Sequence, residues 1–168
     1  MSELPYFNPD DDLSLNVGVL VIIIEKLGAT PRGRLLLNNE RLRAYLYLIK
    51  NPLILNRVLS IFGCPVAQLE TYDEYSIVSI AANMDPLHDD RWLKRLLMVL
   101  AGYGFIDVNY KKTEGFLYRL SDKGREIERS MDGDYFSAVR NYVRAMASLS
   151  SISTSNLNAV IEMSGKYE

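Results

Sequence analysis

Side chains capable of covalent or metal chemistry are scarce in this sequence, which has one histidine, His88, and one cysteine, Cys64. A nucleophilic triad needs a histidine base beside its nucleophile, and a multi-histidine metal centre needs several imidazoles. His88 lies in the stretch Asp85-x-x-His88-Asp89-Asp90, whose carboxylates could ligate a metal. A turn followed by a helix cap explains the same residues more simply. Cys64 precedes Pro65, has no evident base to activate it, and reads as a packed or half-exposed thiol. Residues 8–12 (NPDDD) lack the glycine and the distal glutamate of a calcium loop. Neither GxxxxGK[ST] nor GxGxxG occurs, so nucleotide binding has no motif to rest on. These residue types point away from an enzyme and toward a chain that works without cofactor or metal.

Cations form the second candidate set. Arg91, Lys94 and Arg95, with Met98, fall on the outer face of a predicted helix, and Lys111 and Lys112 sit at the tip of a predicted hairpin. Such a surface can hold phosphates and touch a guanine edge through an arginine. The charge balance keeps that contact weak. The three helix cations face Asp89 and Asp90, leaving +1, and residues 107–125 carry five cations against three carboxylates, leaving +2. The whole chain stands at −2 with a pI near 5.5. Non-specific affinity for nucleic acid comes from neutralised phosphates, and the global field here does not supply it.

Aromatic anchors form the third set. Tyr6 and Phe7 stand beside a carboxylate run in an arm over residues 4–12, which suits docking onto another protein. Tyr135, Phe136, Tyr142 and Met146 share one face of an amphipathic helix with Val139 and Val143. That stripe can cover this chain's own core or a partner, with the core the heavier expectation.

The elements that must position these residues follow from periodicity and punctuation. Asp11 or Asp12 caps an apolar segment over 13–27 that Gly28 stops; its length favours helix, while its β-branched residues make a buried strand the competitor. Leu35, Leu36 and Leu37 suggest a short strand. Asn38 or Asn39 caps a helix to Lys50 with Leu42, Tyr45, Leu46 and Ile49 inward and Arg41 elsewhere, and Pro52 opens another that Gly63 closes. Helices are expected near 74–83 and 91–103. A hairpin follows, with strands from Phe105 and to Leu120 about a five-residue tip, 111–115. Ser121 caps a helix towards Met131, and Leu157, Val160 and Ile161 mark a short last helix.

The order of these elements resembles the winged helix-turn-helix superfamily. It is carried by Leu93-x-x-Leu96-Leu97-x-x-Leu100-x-x-x-Gly104-Phe105-Ile106-x-Val108 and by Gly115-x-x-Tyr118-x-Leu120-Ser121-x-x-Gly124. The leucines seat the third helix, Gly104 ends it with a left-handed residue, and alternating apolar residues anchor the hairpin. The expected fold is mainly α with a small β-hairpin wing, a winged helix-turn-helix with extra N- and C-terminal helices. It divides into an arm and apolar helix (1–37), a winged-helix domain (38–131) and a helical extension (132–168), packed as one unit.

The stretches YFNPDDDLSLNVGVLVIIIEKLG and GRLLLNNERLRAYLYLIKNPLILNRVL resemble, over residues 6–130, the middle component of bacterial ABC-three-component defence systems, the Lamassu type among them. That resemblance implies an adaptor subunit joining an SMC-like ATPase to an effector in anti-phage or anti-plasmid defence. The competing expectation is a homodimeric winged-helix transcriptional regulator. The longest apolar run, Val17 to Ile24, is far short of the roughly 20 residues that span a membrane. A lone cysteine and the absence of a signal-like start suit the reducing cytoplasm.

Overall fold

The computed structural model describes residues 12–70 and 85–166. The expected helix at 74–83 and the arm with Tyr6 and Phe7 lie outside them. Among the described residues the chain is mainly helical, with seven α-helices and one two-stranded antiparallel sheet.

Helix α1 (Leu13–Leu27) begins where Asp12 Oδ1 accepts from Leu15 N at 2.8 Å. The Asn16 side-chain amide donates to Asp12 O at 2.7 Å, which satisfies a polar group that is itself buried. Leu20 and Val21 to Ile23 are all fully buried, so tertiary burial on every side overrides the strand preference of the β-branched residues. The helix lies at the centre of the fold, packed on α2, α4, α5, α6 and β2 of the elements described below. Gly28 does stop it, but with φ −70 and not in a left-handed conformation. Its glycine character is needed because a Cβ would stand 2.2 Å from Ile24 O.

The connection to α2 turns tightly at Gly33 (φ +83), and the strand expected at Leu35 to Leu37 is reduced to one bridge between Ala29 and Leu35. The reason is local: Thr30 N donates to Arg34 O and Leu36 N to Gly28 O, so the loop closes on itself. Helix α2 (Asn39–Lys50) is capped by Asn38, whose Oδ1 accepts from Arg41 N at 2.9 Å. Its buried stripe is wider than expected and includes Ala44, Tyr47, Leu48 and Arg41. Pro52 opens α3 (Pro52–Ile61), and Gly63 follows it at φ +68.

A short 3-10 turn (Asp85–His88) leads into α4 (Asp90–Gly102). Strands β1 (Ile106–Lys111) and β2 (Gly115–Leu120) pair with Ile106 opposite Leu120 and Lys111 opposite Gly115. The tip is therefore three residues, 112–114, and shorter than expected, because Lys111 still belongs to the ladder. Helices α5 (Asp122–Ser130), α6 (Asp134–Met146) and α7 (Thr154–Lys166) complete the described chain. The last of these is 13 residues long, more than a short terminal turn. One hydrophobic cluster gathers residues from every described α-helix except α5 and from both strands.

Candidate interaction surface

Helix α4 is divided cleanly by its sequence. Leu93, Leu96, Leu97 and Leu100 are buried, so Arg91, Lys94, Arg95 and Met98 must face outward, and all four are exposed. Met98 is 74% exposed, an unusual apolar presence in the middle of a cationic face. The carboxylates that open the helix are both engaged. Asp89 Oδ1 accepts from Arg91 N and Trp92 N at 3.0 and 3.2 Å, and Asp90 pairs with Arg43 of α2. Gly104 at φ +72 then releases the chain into the hairpin.

The hairpin does not anchor by simple alternation. Ile106 and Leu120 are buried at its base, but Val108 is 46% exposed and Tyr110 and Phe116 are more so. These three lie on one face, since Tyr110 pairs with Phe116 and Val108 with Tyr118 in the register. The Tyr110 and Phe116 rings meet at 5.2 Å, a cross-strand aromatic contact that stiffens the outer wing while leaving it open to a neighbour. Nearer the base of the same face the wing is seated by Tyr118, which is buried and whose hydroxyl donates to Asn39 Oδ1 at 2.5 Å. Burial raises the pKa of that phenol, and the Asn39 bond partly opposes the rise.

Ion pairs use up much of the local charge. Lys111 lies 3.9 Å from Glu114, Arg119 bonds Asp107 and Arg125 bonds Asp122. Lys123 Nζ donates to Tyr103 O at 2.9 Å and stands over the Phe105 ring. Arg95 leans over the Trp92 ring at 5.7 Å. Among the described residues, Arg91, Lys94, Arg95 and Lys112 have no carboxylate within ion-pair distance.

The aromatic stripe on α6 splits in two. Tyr142 and Met146 are buried in the core, and the Tyr142 hydroxyl accepts from Glu70 N at 3.2 Å. Phe136 is half-buried, with its ring edge over Gly18 so closely that a Cβ there would come within 2.8 Å. Tyr135 is left at the surface, 39% exposed and edge-on to Phe136.

Arg41, expected away from the buried stripe, is 5% exposed and reaches across the fold to carbonyls of the α6–α7 joint. The only local sign is its place one turn before Tyr45 in a helix too apolar to have a free side. Arg140 with Glu128 was equally hidden, for the same reason that the partners lie on different helices. The side chains of His88, Asp89 and Asp90 do not converge. Asp89 caps, Asp90 faces Arg43, and His88 stands 3.6 Å from Glu162 of α7. Among the described residues no group of three or more histidine, cysteine or carboxylate side chains is placed to hold a metal. No helix among them is long and apolar enough to cross a membrane.

Comparison with curated proteins and with solved structures found no match. A protein-family model, ABC-three component (ABC-3C) system Middle Component 4, matches residues 27–159.

Proposed function

The chain belongs to the Middle Component 4 family of ABC-three-component systems, and from that premise we propose that it is a non-catalytic adaptor in a defence complex, joining an SMC-like ATPase to an effector. Membership makes it one subunit of a multi-component system. The adaptor role is supported by where its apolar surface lies. Half of the large apolar side chains exposed among the described residues lie on the wing or at α4 and its C-cap: Val108, Tyr110, Phe116, Met98 and Tyr103. Exposed aromatics and methionine beside cations are the composition of protein contact surfaces. The observation that carries the reading is the open aromatic face of the wing, seated on a rigid base by Tyr118. Weak DNA contact through Arg91, Lys94, Arg95, Lys111 and Lys112 is a secondary role of the same side of the molecule.

The test is co-expression with the large ATPase and the third protein of its own system. The three should co-purify in fixed ratio from a salt wash that removes nucleic acid. Tyr110→Ala/Phe116→Ala, or removal of residues 4–11 with the Asp12 cap kept, should reduce recovery of one partner at least fivefold while circular dichroism stays unchanged. A stable homodimer that ignores both proteins and shifts a palindromic operator would replace the adaptor with a transcriptional regulator.

A further inference from the structure

Arg41 presents a problem that the adaptor reading does not address. The residue is 5% exposed, and no ion pair among the described residues includes it. Nε donates to Tyr45 Oη at 3.0 Å, Nη1 to Ile152 O at 2.6 Å and Nη2 to Leu149 O at 2.5 Å, with Thr154 Oγ1 at 3.5 Å from Nη1. All four acceptors are neutral. An arginine carries five N–H donors and stays charged, and a buried charge is costly unless an opposite charge comes to it.

A cavity of about 150 Å³ opens beside this group, lined by Leu37, Arg41, Tyr45, Ser150, Ser153 and Thr154 among others. At about 30 Å³ per water molecule it has room for about five waters, enough for one small polyatomic ion. Its polar lining is rich in donors. Tyr45 Oη accepts from Arg41, so its own proton points elsewhere, and burial raises its pKa against the opposing pull of Arg41, keeping that proton on. Ser150, Ser153 and Thr154 bring three more hydroxyls, and the first two are exposed, giving access from solvent. The carbonyls of Leu149 and Ile152 are already taken by the guanidinium, and no carboxylate lines the space.

We infer that this cavity between α2 and the α6–α7 joint is a binding site for a phosphate group, held by Arg41 with the hydroxyls of Tyr45, Ser150, Ser153 and Thr154. A buried cation beside hydroxyls that can each donate onward selects an anion, and donors arriving from several directions suit a tetrahedral oxyanion better than a planar one. The phosphate could be free or the end group of a nucleotide whose remainder projects through the opening. The inference is independent of the adaptor proposal, because it uses none of the same residues.

Isothermal titration of the full chain with sodium phosphate, against sodium chloride at matched ionic strength, tests it. Saturable binding with a Kd of about 1 mM or tighter is expected. Thr154→Val and Ser150→Ala spare Ser153, whose Oγ accepts from Asn156 N at 3.3 Å and caps α7, and together they should weaken binding about tenfold. Arg41→Lys should abolish it; where that variant unfolds, the hydroxyl pair decides. Titration with AMP and ADP distinguishes the sources: affinity tenfold above phosphate identifies a nucleotide, and equal or lower affinity identifies the free ion. No saturable heat with any of the three, or equal binding by the Thr154→Val/Ser150→Ala variant, overturns the site.

Discussion

Gly124 explains why the motif Leu120-Ser121-x-x-Gly124 has its final glycine. The residue is buried in the first turn of α5, and a Cβ there would stand 2.1 Å from Phe105 O. That oxygen also accepts from Ser121 N at 2.9 Å, so it cannot retreat without breaking the joint between wing and helix. Alanine normally gains about 1 kcal/mol over glycine inside a helix. Here overpacking against backbone should win, and Gly124→Ala is expected to lose about 1–3 kcal/mol. Urea unfolding measures this directly, and an unchanged or raised midpoint would contradict the close approach. At this scale much was legible. Asp12, Asn38 and Asp89, each one of two adjacent candidates, and Ser121 alone read as caps because capping is decided within a few residues. The burial of Arg41 was not legible, since its carbonyl acceptors lie 108 and 111 residues away.

Among the elements, α1 has the most to lose from truncation. Ile22 is fully buried at the meeting of several helices, and Ile22→Ala should cost about 2–5 kcal/mol, the range for isoleucine cavities. Thermal or urea melts of the variant check the value. Helix α4 invites a different experiment, because its cations and those of the wing differ in how free they are. Lys112 and Lys94 are exposed and have no carboxylate at ion-pair distance among the described residues, whereas Lys111 is close to Glu114. In DNA binding, Lys94→Ala/Lys112→Ala should lower the slope of log K against log salt by up to about two, and Lys111→Ala should add less. Slopes equal to the parent chain would remove DNA from the functions of this face. The hairpin was recognisable from its glycines and apolar residues. Its register was not, because which residues leave the ladder depends on pairing energies that local composition does not encode. The exposure of Val108 was missed for a related reason: alternation marks a face, and only tertiary packing says how much of that face is covered.

For the whole molecule, the buried tyrosines set an upper pH limit. Tyr45, Tyr47 and Tyr118 each have a pKa raised above the ordinary phenol value of 10.0, chiefly through burial. Unfolding therefore releases protons once the unfolded phenols titrate. Their contribution is complete below about pH 10 and is lost as pH rises towards the folded values. Urea midpoints should be level from neutral pH to about 9 and fall steeply above 10, with Tyr47→Phe making the fall shallower. A flat profile to pH 11 would mean that these hydroxyls are more hydrated than the fold implies. The family and the helical architecture could be read before any coordinates because they depend on patterns spread over most of the chain. The surface that remains for partners could not, since it is defined by what the core leaves over.

The central position of α1 also has a consequence in time. Its covering elements are encoded far downstream, with α6 ending at Met146, more than a hundred residues after Leu27. At bacterial or eukaryotic synthesis rates of about 5–20 residues per second, the segment leaves the ribosome several seconds to roughly half a minute before its last cover exists. During that interval its apolar run is a sticky surface on a nascent chain, open to chaperones and to premature contacts. Slowing translation within residues 28–133 should therefore lower soluble yield, while slowing it after α6 should have little effect.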